Sequence, residues 1–426
     1  MWWESKGHLE IKNNELYIAN YSAVDLAKRF GTPIYVYNAR RVIDNYQRFY
    51  NTLKKYADRE VRVHYSMKAN SNTYLLKILK EKGCWIDAVS PEEVLLAINL
   101  GFEENKILFT GSSLSHDDLL QVKPFKIRIN VDSYSCLLKM KELDMKNEIS
   151  FRIDPGIKGV GHNWKTITAG IEAHGHPIKF SIPIEELDFA IRLAIDLGFD
   201  IKGLHEHVGS NWLRKEEVDE FLETVKILVK KAKEVKSKFG INLDFLDLGG
   251  GPGIRYKEDQ NEFPLEYYAS NIFEILKDIE TNAVSFEPGR YIVADAGILL
   301  VKVTEVKIRY GHIIVGVNSG FNHLIRPVLY NSYHEIVNCN NVEGEMEEVN
   351  IVGNLCETGD IFAAKRKISK VREGDILAIL CAGAYGYSMS SRYNSRALPK
   401  EVVLDGERAY VCKEFYAKNE FYVSLT

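Results

Sequence analysis

Hydrophobic and polar positions follow two different periods along the first two thirds of the chain. Short runs of β-branched and aromatic residues with a period of two predict strands, and the stretches between them carry apolar residues at helical spacing. The predicted strands are residues 61–66, 85–89, 107–110, 127–131, 149–153, 201–207, 245–248 and 284–287. The predicted helices include residues 74–82, 91–100, 185–197, 218–239 and 267–279.

Eight strands alternating with helices are typical of a (β/α)8 barrel, with a doubly wound parallel sheet as the alternative. After residue 296 the pattern changes to short β-rich runs with little helical periodicity, which predicts a second, all-β domain. These runs are residues 301–309, 313–317, 348–352, 376–381, 401–403 and 408–411. We therefore expect an N-terminal segment (1–35) that packs with the β domain, a barrel (36–296) and a C-terminal β domain (297–426).

Composition narrows the class of protein. The chain has 426 residues, 46% of them hydrophobic, and its net charge of -4 argues against a nucleic-acid-binding surface. We find no secretory signal, and no apolar run approaches the ~18 residues of a membrane span. The six cysteines form no CxxC pair, which fits a reducing compartment and argues against a zinc site. We expect a cytoplasmic protein without nucleic-acid or membrane partners.

Lys68 follows directly after the first predicted strand. An ammonium at the end of a buried strand is costly unless a carboxylate pairs with it. One interpretation is a lysine whose side chain reaches the solvent at the rim of the barrel. The other is a lysine whose lowered pKa lets it form a Schiff base. Spacing alone does not decide between them.

Further candidate groups follow the other predicted strands, where barrels place their catalytic residues. Two histidines in the sixth-strand motif could be core residues or, less well supported, metal ligands. A glycine-rich turn after the seventh strand lets backbone N–H groups approach a phosphate, and an acid and an arginine end the eighth. The residues are Asp87; His205, His207 and Ser210; Gly250 and Gly251; and Glu287, Gly289 and Arg290.

The sequence motifs around these positions resemble those of one known family. Tyr-Ser-Met-Lys68-Ala-Asn is similar to the signature around the cofactor lysine of fold-type III pyridoxal phosphate (PLP) decarboxylases, which include diaminopimelate, ornithine and arginine decarboxylases. The resemblance implies that Lys68 holds PLP, with Asp87, Gly250, Gly251 and Gly289 among the groups around it. It also implies that His207 stacks on the cofactor ring beside Ser210 at the phosphate, that Glu287 faces the pyridine nitrogen and that Arg290 binds phosphate and substrate.

The second domain contains three further motifs: Phe321-Asn-His-Leu-Ile-Arg326-Pro-Val-Leu-Tyr330, Gly353-Asn-Leu-Cys356-Glu357-Thr-Gly-Asp360 and Gly383-Ala-Tyr385-Gly386. All three resemble motifs of the diaminopimelate decarboxylases. The resemblance implies that Arg326 and Tyr330 hold substrate and that Tyr385 contacts cofactor and substrate. It further implies that Cys356, the candidate acid that protonates the substrate, and Glu357 reach into the neighbouring subunit's barrel. A homodimer with shared active sites follows.

The two charges of these motifs suit a diamino dicarboxylic acid. Arg326 matches a distal carboxylate and Glu357 an amine, so the resemblance implies decarboxylation of meso-diaminopimelate to L-lysine. The alternative substrate is another basic or diamino acid. Two alternative classes of protein are an alanine-racemase-like enzyme and a non-catalytic PLP-binding protein. The chain departs from the family pattern at Ser181, at Asn318 and within residues 170–177.

Overall fold

The computed structural model describes residues 1–161 and 163–412. The chain divides into two compact units. The barrel unit comprises Ile43–Ser71 and Leu76–Ala294, and the β unit comprises Met1–Val42, Asn72–Leu75 and Asp295–Thr426, described as far as residue 412. The domain ranges 1–35, 36–296 and 297–426 stay a prediction, since this division separates compact units rather than functional domains.

The barrel unit contains a closed ring of eight parallel strands. Each strand pairs with the next, the fourth pairs with the fifth, and the eighth pairs with the first through Phe286 and Val63. This closure confirms the predicted barrel and excludes an open doubly wound sheet. The strands are Glu60–Ser66, Trp85–Ala88, Ile107–Phe109, Arg128–Val131, Ile149–Asp154, Ile201–His205, Phe245–Asp247 and Ala283–Phe286.

Helices follow the barrel strands, and several begin at a serine. The side chains of Ser90, Ser115 and Ser133 each accept a hydrogen bond from the backbone N–H three residues later, which satisfies a donor that the first helical turn leaves unpaired. The helices are Ala39–Tyr56, Thr73–Glu81, Pro91–Asn99, His116–Val122, Tyr134–Glu142, Leu187–Leu197, Lys215–Phe239, Leu265–Leu276 and Arg290–Val293; the first two begin in residues of the β unit. None of the helices that the structure describes has the length and apolar character needed to cross a membrane.

The N-terminal end of the barrel is closed by packed aromatic and charged side chains. Arg62 is buried, donates hydrogen bonds to Glu60 and Asp244, and lies 5.0 Å from the ring of Trp85. Phe245 fills the space beside Gly203, where a Cβ atom would lie 2.7 Å from the phenyl ring. These residues close the end of the barrel opposite to Lys68, because Lys68 follows the C-terminal end of a strand.

The β unit is built around one long strand, Gly297–Arg309. It pairs with His312–Val317, with Ile376–Ile379 and with Ile34–Asn38, a strand from the N-terminal segment that the hydrophobic pattern did not predict. The remaining strands of this sheet are Ile336–Asn338, Met346–Val352, Ile361–Ser369, Lys400–Asp405 and Arg408–Cys412. Leu9–Lys12, Glu15–Ile18 and Tyr21–Ser22 form a small sheet, and the unit also contains helices Ala23–Phe30 and Arg326–Tyr330.

Asn318, one of the departures from the family pattern, joins the N-terminal segment to this sheet. Its side-chain amide donates hydrogen bonds to the carbonyl and hydroxyl oxygens of Thr32 at 2.9 and 2.8 Å, and its oxygen accepts from the backbone of Lys302. An ionised aspartate has no donor and cannot make the two bonds to Thr32. The two hydrogen bonds to Thr32 therefore explain why an asparagine rather than an aspartate occupies this position.

Ser181, a second departure, lies in the left-handed backbone region with a φ of 74°. It directly precedes the short strand Ile182–Pro183, which pairs with the fifth barrel strand. A residue with a Cβ atom pays a steric cost in this region that glycine does not pay.

We predict that Ser181→Gly stabilises the protein by about 0.5 kcal/mol, because the relieved steric cost exceeds the entropy that glycine loses on folding. Ser181→Ala keeps the Cβ atom and serves as the control, with no gain expected. Urea unfolding of the three proteins measures the difference. Equal stabilities of the glycine and alanine variants would contradict the steric explanation.

Candidate active site

Lys68 lies at the mouth of the barrel beside a buried acid. The first strand ends at Ser66, and a single 3-10 turn, Met67–Ala69, carries the lysine. Its Nζ atom is 3.6 Å from Oδ2 of Asp87, which is 1% exposed, and the lysine side chain is 37% exposed. The hydroxyl of Ser66 donates to the same carboxyl oxygen at 2.7 Å. The lysine nitrogen is thus held near a carboxyl group while remaining accessible.

Glu287 is the second buried acid, and it follows the eighth strand. Its Oε2 atom is 3.2 Å from Nε2 of His205, and both side chains are almost fully buried. Burial by itself would raise the pKa of Glu287, but His205 and Lys68 outweigh that effect and hold the pKa below its ordinary value. The Oε1 atom has no hydrogen-bond partner among the described residues. Glu287 is therefore an ionised carboxylate with one free oxygen.

Asp247 and Asp87 behave in the opposite way. Burial raises the pKa of both carboxyls, and the negative charge of Glu287 raises them further. Asp247 accepts the backbone N–H of Gly249 at 2.9 Å through Oδ1. One acid with a lowered pKa and two acids with raised pKa values thus lie within one buried cluster.

Three of these groups lie close enough to hold a metal ion. The ligand atoms of His205, Asp247 and Glu287 lie within 4.8 Å of one another. His205 and Glu287 already share a hydrogen bond. The cluster is therefore explained as well by a hydrogen-bonded carboxylate as by a metal site. His207, the second of the two histidines of the sixth-strand motif, has a different hydrogen-bond partner, Gly250.

The ring of His207 is held by the glycine-rich turn. Its Nδ1 atom accepts the backbone N–H of Gly250 at 2.9 Å, which places the ring proton on Nε2. Burial lowers the pKa of His207 well below its ordinary value, and the charges of Lys68 and Arg152 lower it further. His207 is therefore a neutral ring with a fixed orientation, as a group that stacks on a planar ligand requires.

The glycine-rich turn can approach its neighbours only because it lacks side chains. A Cβ atom on Gly250 would lie 2.4 Å from the carbonyl oxygen of Glu287, and one on Gly251 would lie 2.3 Å from the buried ring of Trp212. Gly251 also has a φ of 131°, which L residues rarely adopt. The carbonyl of Gly251 accepts from the backbone N–H groups of Asn211 and Trp212, so the turn is rigid.

Ser210 lies in the loop after the sixth strand and Arg290 begins the helix after the eighth, and their side chains are in contact. The guanidinium donates to the hydroxyl of Ser210 at 3.2 Å and to the hydroxyl of Tyr256 at 3.0 Å. Gly289 precedes the arginine at a point where a Cβ atom would lie 2.9 Å from Ala69. A cation and two hydroxyl groups beside a glycine-rich turn form a phosphate-binding environment.

Arg152 is a buried cation that the sequence did not single out. It lies on the fifth strand, its guanidinium is 4.6 Å from the ring of Phe180, and its Nε atom has no hydrogen-bond partner among the described residues. Burial lowers its pKa, while Glu287 and other acids oppose that shift. An arginine in a strand is ordinary in sequence, so only the three-dimensional arrangement reveals it.

In the β unit, Arg326 is held by a histidine that sequence reasoning also missed. His334 Nδ1 is 2.8 Å from the carbonyl of Leu380 and so carries the ring proton, which leaves Nε2 to accept from Arg326 at 3.0 Å. The arginine also donates to Ser332 at 3.4 Å. Arg326 begins the short helix Arg326–Tyr330, and Tyr330 ends it. A conserved spacing between Arg326 and His334 would be the signal to look for in related sequences.

The remaining predicted residues of the β unit lie nearer to its surface. Cys356 and Glu357 are exposed, and the backbone N–H of Cys356 donates to the side chain of Asn394 at 2.8 Å. Tyr385 is half-buried with a φ of 56°. An exposed cysteine and glutamate in adjacent positions are available to a second protein chain.

The predicted site residues thus form two groups, each within one unit. The barrel unit brings together the candidates that follow its strands, namely Lys68, Asp87, His207, Ser210, Gly250, Gly251, Glu287, Gly289 and Arg290. The β unit holds Arg326, Tyr330, Cys356, Glu357 and Tyr385.

Comparison with known proteins shows the family of the chain. A profile of the family described as pyridoxal-dependent decarboxylase, pyridoxal binding domain, matches residues 40–294. The chain is 39% identical over 417 residues to a diaminopimelate decarboxylase of Methanothermobacter thermautotrophicus, covering 96% of this chain and 93% of the relative. It is 33% identical over 411 residues to that of Haemophilus influenzae, covering 95% of each.

A solved structure is similar over the same extent. Diaminopimelate decarboxylase from M. jannaschii in complex with L-lysine superimposes with a TM-score of 0.87 at 32% identity, covering 96% of this chain and 95% of that one. The chain therefore belongs to the family of pyridoxal-dependent decarboxylases.

The residues of the barrel unit fit pyridoxal phosphate. Glu287 offers a pyridinium nitrogen an oxygen that has no hydrogen-bond partner among residues 1–161 and 163–412, and the glycines at 249–251 leave room that Cβ atoms would fill. Arg290 and Ser210 supply donors for a phosphate, and Lys68 supplies the amine. The donor set matches each polar end of this cofactor.

Glu206 provides a test of the electrostatics in this region. It is fully buried between the two histidines in sequence, accepts the hydroxyl of Thr224 at 2.8 Å, and burial raises its pKa to about 8. The folded state therefore keeps a proton that the unfolded state loses above its own, lower pKa, so this group's stabilisation declines as the pH rises towards 8.

We predict that Glu206→Gln removes this decline, which amounts to at most about 1.4 kcal/mol per pH unit. Urea unfolding of the wild type and the variant at several pH values between the unfolded and folded pKa measures it. Thr224→Val, which removes the bond that lowers the pKa, should extend the decline to higher pH. Parallel stability curves for wild type and Glu206→Gln would contradict the assignment.

Proposed function

We propose that this protein decarboxylates meso-diaminopimelate to L-lysine and carbon dioxide with pyridoxal phosphate as its cofactor. The observation that carries the proposal is the cluster in the barrel unit, where an accessible lysine nitrogen lies 3.6 Å from a buried carboxyl beside an ionised, half-satisfied Glu287. The near full-length similarity to enzymes named diaminopimelate decarboxylase supports the choice of substrate.

Each residue of the barrel unit takes one role towards the cofactor in this proposal. Lys68 holds it covalently, His207 stacks on its ring, and Glu287 keeps its ring nitrogen protonated. Asp87 orients the lysine nitrogen. The phosphate is bound by Ser210, Gly250, Gly251, Gly289 and Arg290, and Tyr385 is a further proposed contact of the cofactor.

The chemistry needs an electron sink and a proton donor. When bound, pyridoxal phosphate supplies the sink that takes up the electron pair released as the α-carboxylate leaves. Glu287, because it stays ionised, holds the proton on the ring nitrogen that makes this sink effective. Cys356 then transfers a proton from Sγ to the α-carbon of the substrate, which replaces the lost carboxylate.

The charges of the β unit account for the substrate. Arg326 carries the fork-shaped cation that suits the distal carboxylate, and His334 fixes its direction through a hydrogen bond at 3.0 Å. Glu357 suits the distal ammonium, while Tyr330, Tyr385 and Arg290 line the remainder of the substrate site. A diamine substrate such as ornithine lacks the group that Arg326 would bind.

We further propose a homodimer with shared sites and a cytoplasmic location. Cys356 and Glu357 are exposed on the β unit, which leaves them available to the barrel of a second copy. All six cysteines are free thiols, as a reducing compartment allows.

The first test is a substrate panel. We predict that the wild type releases carbon dioxide from meso-diaminopimelate faster than from ornithine, lysine or arginine. Arg326→Ala should lower kcat/KM for meso-diaminopimelate about 100-fold, because the substrate carboxylate loses its charged partner, with a small effect on the other amino acids. The measurement is carbon dioxide release for each substrate.

Arg372→Ala is the matched control, since Arg372 is an exposed arginine of the same unit and should be neutral. A wild type that prefers ornithine, lysine or arginine would overturn the proposed substrate. An unchanged preference in Arg326→Ala would overturn the role of that residue.

The second test concerns the shared site. We predict that Lys68→Ala and Cys356→Ala are each nearly inactive and that mixing them restores about a quarter of wild-type activity. Random exchange makes half of the dimers mixed, and each mixed dimer has one of its two sites intact. Activity and subunit exchange are measured after mixing at equal concentrations. No recovery despite exchange would show that Lys68 and Cys356 belong to the same subunit's site.

A further inference from the structure

The environment of Glu287 contains more than its contact with a cofactor requires. His205 is fully buried at the end of the sixth strand, and its Nε2 atom lies 3.2 Å from Oε2 of Glu287, which follows the eighth strand; only the seventh strand separates the two strands. Because an ionised carboxylate can only accept a hydrogen bond, His205 Nε2 must carry the proton of this contact. The other ring nitrogen, Nδ1, has no hydrogen-bond partner among the described residues. Among the described residues, the imidazole of His205 therefore makes its hydrogen bond to Glu287 alone.

Without a donor, Glu287 would lie in an unfavourable position. It is buried near two further acids, Asp87 and Asp247, and the charge of one carboxylate raises the pKa of the others in a low-dielectric interior. Asp87 has donors of its own, the hydroxyl of Ser66 at 2.7 Å and the ammonium of Lys68 at 3.6 Å. Asp247 receives one backbone N–H through Oδ1, whereas Glu287 receives the imidazole. The histidine thus favours the charge on Glu287 over a charge on Asp247, the other acid within 4.8 Å of it.

The contact also determines which oxygen is available. His205 occupies Oε2, and Oε1 remains without a partner among the described residues. A carboxylate held at one oxygen can turn less freely about its last torsion, and so presents the other oxygen in a constant direction.

We propose that His205 is a positioning residue that acts through Glu287: its hydrogen bond to Oε2 favours the charge on this acid over a charge on Asp247 and directs the Oε1 atom to the ring nitrogen of the cofactor. The inference rests on the proposed function, because it concerns how the pyridoxal phosphate site is prepared. It assigns His205 a role that differs from stacking by His207 and from metal binding.

The test is a double-mutant cycle read by cofactor binding. The dissociation constant of pyridoxal phosphate is measured for the wild type, His205→Leu, Glu287→Gln and the double variant. We expect His205→Leu to weaken binding about tenfold and to shift the absorbance of the bound cofactor. The double variant should bind no more weakly than Glu287→Gln, because the histidine acts only through the acid. Additive losses would overturn the proposal.

A cofactor analogue tests the same point without a second substitution. In 1-deazapyridoxal phosphate, carbon replaces the ring nitrogen, so the acid has no proton to hold. We expect this analogue to bind to the wild type and to His205→Leu with equal affinity. An equal loss for the analogue and the natural cofactor would show that the substitution damages the site in general, and would overturn the proposal.

Two further variants separate position from folding. His205→Gln keeps a donor near the position of Nε2 and should bind the cofactor within about twofold of the wild type. His64→Leu is the matched control, because His64 is another buried barrel histidine, 5.3 Å from the ring of Trp85 and without a hydrogen bond to Glu287. It should leave cofactor absorbance unchanged.

If His205→Leu does not fold, His205→Ala replaces it in the cycle. Thermal unfolding confirms that each variant is folded. A wild type that binds no pyridoxal phosphate would end the proposed function together with this inference. A wild type that binds normally, with an additive cycle, would end this inference alone.

Discussion

The hydrogen bonds that close the eighth strand onto the first are the constraint on which the site depends. Through the pairing of Phe286 with Val63, the residues after these two strands become neighbours although more than two hundred positions separate them. The hydroxyl of Ser66 bonds both to Asp87 and to the carbonyl of Glu287 as a result. An open sheet would leave the first and eighth strands as separate edges, and the lysine and the acid would not share a site.

Burial then shifts the pKa values of side chains that would titrate normally in water. Three acids, two histidines and a lysine lie at one end of the barrel, and the low dielectric makes each charge depend on the others. Glu287 stays ionised while the pKa values of Asp87 and Asp247 are raised. A planar cofactor with one cationic nitrogen and one phosphate matches this distribution, since the ionised acid and the arginine lie at different places in the site.

Much of this could be predicted from the sequence because the relevant signals are local. Eight strands, their helices and most of the β-domain strands followed from the hydrophobic period, and catalytic candidates followed from the rule that barrel chemistry lies after the strands. The strand Ile34–Asn38 was missed because its pairing partners lie far away in sequence, at Gly297–Arg309 and Lys400–Asp405. Trp212, Tyr256 and Arg152 were missed because nothing in their sequence surroundings distinguishes them from core residues.

The sequence by itself determined the architecture and the residue types of the site, since periodicity and strand-end motifs need only neighbouring residues. Only the tertiary structure decided which of these groups form hydrogen bonds with each other and how their side chains are oriented. The pairing of His205 with Glu287, of His334 with Arg326 and of Gly250 with His207 joins distant positions. The pKa values follow from those contacts and from burial, and both depend on how the whole chain packs.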